Sequence, residues 1–221
     1  MLEKTVLSFD VAMKNLGWAC LKGGCPVACG VIKPQVPKEL LCLKGSKKLL
    51  VRQKNELLVK QMVEGVSELI THYRPDFITG EMTTGGAKSA SAATQLNMAM
   101  AAVLSVCIMQ EVNYRWCSPG DVKKITVGNS KASKEQIMDW AIDRYGGDKS
   151  VKEISIQKGK RAGKVDRRLT YEFLGNRLPA GTFEHIADAC GAYEAVKKNM
   201  TTVKKPGAKG YRNKPKQCSK R

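Results

Sequence analysis

Residues 62–82 read MVEGVSELITHYRPDFITGEM, and this stretch decides the fold. Leu58, Met62, Val66, Leu69 and Tyr73 recur at three- and four-residue steps, with Glu and Lys on the other face. That period predicts an amphipathic helix over 52–73. Pro75 ends it, because the residue before a proline is pushed out of helical geometry. Residues 76–81, DFITGE, then read as a short strand closing on a carboxylate, Glu81. A helix passed straight to a buried strand is the repeating unit of an α/β sheet.

Working upstream, residues 4–9 (KTVLSF) predict a buried strand that also runs into a carboxylate, Asp10. Strands follow over 16–22 and 26–33, joined through Gly23-Gly24-Cys25, a hairpin signal. The stretch 34–50 reads as a loop. Downstream, Gly85-Gly86 make a turn, 88–112 a long helix rich in Ala, Ser and Met, and 113–118 a strand. Ser118-Pro119 opens a short helix, with Ser at the N-cap and Pro in the first turn. Ser133 and Gln136 form a capping box for a helix through Tyr145. Residues 146–181 are basic and contain GKRAGK, with a short helix expected over 166–177; Thr182 caps a last helix over 183–197. The expected class is α/β, a five-stranded mixed sheet flanked by helices. If the first and fourth strands are parallel neighbours, Asp10 and Glu81 lie side by side at their carboxyl ends, where such sheets place their sites.

The 221 residues carry 38 Lys+Arg against 20 Asp+Glu, a net charge of +18, which points to a polyanionic partner, nucleic acid before an acidic membrane. Hydrophobic residues reach 43%, enough for a core, which excludes wholesale disorder. No apolar run is expected to span a membrane, and MLEKTVLSFD does not read as a signal peptide. Residues 197–221 hold ten Lys/Arg and no acid. They read as a disordered tail, either attracting phosphates or simply solubilising. The expected organisation is therefore a domain over 1–196, with 146–181 as a basic insertion, and a tail over 197–221. Eight cysteines in a chain this long are too sparse for a disulfide scaffold and fit a reducing, cytoplasmic setting. Cys20, Cys25, Cys29 and Cys42 match no common zinc spacing, so buried thiols are the better reading.

Asp10 or Glu81 alone is no more than a polar residue closing a strand. Two such ends brought together cost energy unless a cation compensates them. His185 and Asp188 add a third element, because positions three apart on a helix share a face. Ile186, Ala189, Cys190 and Tyr193 fall on the opposite side and can pack on the sheet. Three carboxylates and an imidazole suit Mg²⁺ or Mn²⁺. Two such ions could clamp a scissile phosphate, one activating water and the other stabilising the leaving oxygen. A basic protein with that site reads as a nuclease.

These residues resemble the RuvC-type Holliday-junction resolvases of the ribonuclease H-like superfamily, over 4–145 and 183–196. The stretch 62–82 is similar to the helix, strand and catalytic Glu of bacterial RuvC. SFDVAMKNLGWA resembles the first catalytic strand, with Lys14-Asn15-Leu16 closer to poxviral and fungal mitochondrial resolvases. HIADAC, 185–190, resembles forms that use a His with the final Asp. The resemblance implies Asp10, Glu81, His185 and Asp188 as the catalytic and metal-binding set. It implies Lys123 and Lys134 as lysines for DNA contact and catalysis, with Lys124 and Lys131 beside them as DNA-binding candidates; without it, all four read as solvated surface. It further implies a homodimer acting on branched DNA, and a phage or other viral version. Ala12 stands where the family often has Gly, and Thr84 where bacterial RuvC carries a base-stacking Phe. The insertion 146–181 and the tail lie outside the matched pattern and are expected to add backbone contacts.

The leading expectation is a metal-dependent, structure-selective endonuclease resolving Holliday and related junctions by paired nicks that leave 5′-phosphates. The alternatives are a broader flap, fork or RNA–DNA hybrid nuclease, and a non-catalytic nucleic-acid-binding protein. The Ala/Ser/Met-rich helix reads equally as core or as a dimer face.

Overall fold

Side-chain alternation along the first strand divides the molecule into two layers. The computed structural model describes residues 4–42, 44–45, 48–82, 89–155 and 165–200. Strand β1 (Thr5–Asp10) is buried on both faces. Leu7 and Phe9 join one core cluster, Val6 the other. Such two-sided burial is what a continuous apolar strand predicts. β2 (Leu16–Lys22) and β3 (Cys25–Ile32) pair with it as an antiparallel meander, turning at Gly23 and Gly24, both with positive φ. β4 (Phe77–Glu81) and β5 (Tyr114–Cys117) add on in parallel, giving the order β3-β2-β1-β4-β5. This is the expected five-stranded mixed sheet.

Helices cover both faces. On the Leu7–Phe9 side lie α2 (Val51–Tyr73), which buries Leu58, Met62, Val66 and Ile70, and α3 (Ala90–Met109), which buries Ala99, Val103 and Val106. α2 stops at Arg74, in the left-handed region just before Pro75. α3 is long and apolar enough to cross a membrane by length and composition, contrary to the expectation of no such run. Its buried residues belong instead to the core cluster under the sheet. The other face receives α6 (Ala180–Met200), whose Ile186, Ala189, Cys190 and Tyr193 are buried as expected. α4 (Pro119–Val127) and α5 (Lys134–Tyr145) pack alongside; Ser118 with Asp121, and Ser133 with Gln136, close their capping boxes.

Three expectations are corrected. A four-residue helix, α1 (Lys38–Leu41), stands within the presumed loop. α6 begins at Ala180, so Thr182 lies inside it and is not its cap. Residues 166–177 are strand, not helix. β6 (Asp148–Ser155), β7 (Val165–Phe173) and β8 (Asn176–Pro179) form a separate antiparallel sheet. The deciding pattern is period two: Leu169, Tyr171 and Phe173 alternate toward the interior, and the latter two are fully buried. Both rings pack on Phe183 of α6, with centroids 4.7 and 5.2 Å away. Lys149, the cross-strand partner of Tyr171, fastens the same end to α5, its Nζ 2.7 Å from Glu135 and 2.9 Å from Asp139. The Gly85-Gly86 turn, Thr84, the GKRAGK stretch and residues 201–221 lie outside the described residues.

Candidate active site

The parallel pairing of β1 with β4 sets Asp10 directly opposite Glu81. Both are the last residues of their strands, so the register alone joins two carboxyls from distant sequence. α6 brings the third and fourth groups. It is seated against β1 and β2 by two small features. Buried Ser8 Oγ donates a hydrogen bond to the carbonyl of Ala189. Gly17, the β2 partner of Asp10, leaves room for the helix, since a Cβ there would stand 2.3 Å from the carbonyl oxygen of His185. An isolated glycine in a strand often marks such a close approach.

So placed, His185 Nδ1 lies 2.7 Å from Asp10 Oδ2. That hydrogen bond, more than any other influence, raises the imidazole pKa above its ordinary value. Asp188 follows one turn later on the same helix face. Burial first, then the charges of Asp10 and Glu184, push its carboxyl up to about 7. Burial, then Asp188 and Asp10, push Glu81 up to about 8, against the opposing pull of Lys123 and Lys134. These mutual effects identify one electrostatic unit: three crowded carboxyls, an imidazole and two cations at the rim.

The lysines divide. Lys134, at the start of α5, reaches across to an ion pair with Glu184, one residue before His185. Lys123 acts on Glu81 from α4. Lys124 instead lines a cleft with Arg115, Trp116 and Asp121, and Lys131 is exposed on the turn between α4 and α5. Sequence reasoning passed over Glu184, Gly17 and Ser8. Glu184 carried a readable signal, standing four residues before Asp188 and hence on its face.

Whether this set suits divalent ions is a question of charge as well as distance. Among the described residues, no three His, Cys, Asp or Glu side chains stand close enough together to grip an ion as placed. The chemistry nevertheless fits. The donors are hard oxygens, and the raised Glu81 and Asp188 report a repulsion that a cation would relieve. The described cysteines are all free thiols; Cys20, Cys107 and Cys190 are buried, while Cys25 and Cys42 are exposed.

The family model described as crossover junction endodeoxyribonuclease RuvC matches residues 27–142, more than half of the chain. The chain belongs to the RuvC family. The matched region holds Glu81 and all four lysines, and stops short of Asp10 on one side and of His185 and Asp188 on the other. The RuvC of Xanthomonas euvesicatoria pv. vesicatoria (strain 85-10) is 33% identical over 79 residues, which span 36% of this chain and 45% of that relative. Two solved structures share the fold. Thermus thermophilus RuvC, in complex with Holliday junction substrate, has a TM-score of 0.57 at 18% identity, over 91% of this chain and 98% of that one. The yeast mitochondrial Holliday junction resolvase has a TM-score of 0.51 at 12% identity, over 89% and 80%. The ribonuclease H-like fold that the resemblance implied is thereby shown.

Proposed function

We propose that this RuvC-family protein is a metal-dependent, structure-selective endodeoxyribonuclease that resolves Holliday and related branched DNA junctions by paired nicking. The observation that carries the reading is the union of Asp10, Glu81, His185 and Asp188 at the carboxyl ends of β1 and β4, with Lys123 and Lys134 at the rim. Asp10, Glu81 and Asp188 would hold Mg²⁺ or Mn²⁺, which supplies an activated water and offsets charge on the phosphate. Asp10 orients the imidazole of His185 through Nδ1, leaving Nε2 to take or give a proton toward the site. Lys134 and Lys123 add positive charge where the phosphorane oxygens gather negative charge.

Paired nicks require two sites, and hence two copies of the chain. The side of α3 turned from the core, with Thr94, Asn97, Ala101, Ser105 and Ile108 exposed, is small enough in profile for close helix approach. The wider assignment takes residues 1–196 as the nuclease domain and the Lys/Arg-rich tail as an added DNA contact. Because α6 runs to Met200, truncation after that residue tests the tail without cutting the helix. A DNA substrate and free thiols suit the cytoplasm.

The deciding experiment sets Asp188→Asn beside wild type on a labelled four-way junction with Mg²⁺. Junction binding should persist and cleavage disappear; cleavage at the wild-type rate would remove Asp188 from the site. Equal wild-type rates on four-way, flap, fork and RNA–DNA hybrid substrates would replace junction resolution by the broader nuclease.

A further inference from the structure

Three consecutive residues near the start of α6 reach three different parts of the molecule. Phe183 packs on Tyr171 and Phe173 of the small sheet, Glu184 pairs with Lys134, and His185 meets Asp10. Anchored by both neighbours, Glu184 has little freedom, and its side chain is only 19% exposed. It stands one turn before Asp188, on the same helix face. Lys134 comes from another element, as the first residue of α5 behind the capping Ser133. Its side chain is 69% exposed, so packing does not fix where the ammonium goes.

Charge fixes it instead, and two seats lie within its field. One is Glu184. The other is the crowd of Asp10, Glu81 and Asp188: the charges of Asp188 and Asp10 act on Lys134, and Lys134 acts in turn on Glu81. A lysine ammonium is a compact charge on a flexible stem. Seated among those carboxyls it would relieve their mutual repulsion, which is the work of a divalent ion there. It would then compete with the ion, and be lost to the phosphate whose developing charge it is placed to offset. In the structure the ammonium is on Glu184. With one partner so exposed, the pair adds little to stability. Its worth lies in where it leaves the ammonium.

We propose that Glu184 is a positioning residue that keeps Lys134 at the rim, leaving the pocket of Asp10, Glu81 and Asp188 open to divalent ions and the ammonium free to meet phosphate. The inference rests on the nuclease reading for the ion and the phosphate it serves, and adds to it a carboxylate that holds neither. Glu184 acts through Lys134, which sets it apart from a carboxylate that draws the ion by its own charge.

The test compares wild type, Glu184→Gln, Lys134→Met and the double variant as full chains. Mn²⁺ uptake without DNA is followed by electron paramagnetic resonance, counting only uptake that Asp10→Asn abolishes. Glu184→Gln alone should weaken Mn²⁺ binding by about 10-fold, within the range by which residues of one ionic network couple. Lys134→Met should bind Mn²⁺ at least as tightly as wild type, and adding Glu184→Gln to it should cost less than about 2-fold. Equal weakening by Glu184→Gln with and without Lys134 overturns the proposal, because the carboxylate would then act on the ion directly. Wild-type affinity in Glu184→Gln overturns it as well. Glu184→Asp keeps the charge and should bind Mn²⁺ like wild type; a loss as large as that of Glu184→Gln also overturns the role, which would then be one of fold alone. If the pattern holds yet wild type cuts no four-way junction, the hold on Lys134 stands and the nuclease reading falls. If wild type takes up no Mn²⁺, the role of Glu184 falls, and junction cleavage by the same preparation decides the nuclease reading separately.

Discussion

The molecule carries two sheets that solve opposite problems. The five-stranded sheet is covered by helices on both faces and gathers its chemistry at strand ends, where Asp10 and Glu81 leave the pairing. The three-stranded sheet packs Tyr171 and Phe173 on Phe183 with one face and turns charge of both signs outward on the other, in the row Asp148, Glu172 and Arg177. The first concentrates negative charge in a half-buried pocket; the second sets acids and bases side by side over solvent. The contrast divides the molecule: the large sheet gathers the candidate site, and the small one secures the turn of α6 that presents it.

The largest expected break in that division is Glu81→Gln. Cleavage should fall by at least about 100-fold while junction affinity stays near wild type, measured by single-turnover cleavage beside a gel shift. Next comes Phe173→Ala, which unfastens the small sheet from α6. A truncation of that kind costs about 3–5 kcal/mol, read by urea denaturation. Gly17→Ala follows. Its new methyl meets the backbone of His185, so α6 must shift, costing about 1–3 kcal/mol and slowing cleavage while leaving DNA binding intact.

A pH series sharpens the comparison further. Glu81 and Asp188 release their protons near pH 4 when unfolded but hold them to about 8 and about 7 when folded. The folded chain therefore binds more protons across that window. Their contribution to stability is fully present below pH 4 and is lost as pH rises through 7 and 8. Without divalent ions, the melting temperature should be several degrees higher at pH 5 than at pH 8. Glu81→Gln should flatten the slope, and Mg²⁺ should raise the melting temperature more at pH 8 than at pH 5. The smallest effect is Lys149→Ala: its ion pairs are partly exposed, and their loss should cost about 1 kcal/mol or less by thermal melting.

The large sheet was the legible one. Its strands are short apolar runs with clear stops at Asp10, Pro75 and Glu81, and its helices announce themselves through Ser118, Ser133 and the four-residue step of α2. The carboxyl ends could be paired from strand order alone. The small sheet was misread because Leu169, Tyr171 and Phe173 are interleaved with Arg168, Thr170 and Glu172, among basic residues that resemble a solvated stretch. Its core is borrowed from Phe183 on α6, and a partner so distant leaves no local period. The seat of α6 was hidden for a similar reason. Ser8 and Gly17 look like ordinary strand residues until the helix that they receive is known.

The opposition of Asp10 and Glu81 has a bearing on how the chain avoids folding wrongly. Slipping β4 by one position along β1 would turn every one of its side chains over, sending Glu81 into the oily layer beneath α2 and α3 and Ile78 toward α6. An unpartnered carboxylate in that layer is heavily penalised. The pair proposed to hold the metal thus also polices strand alignment, so a variant stripped of it for structural work surrenders a checkpoint of its own assembly.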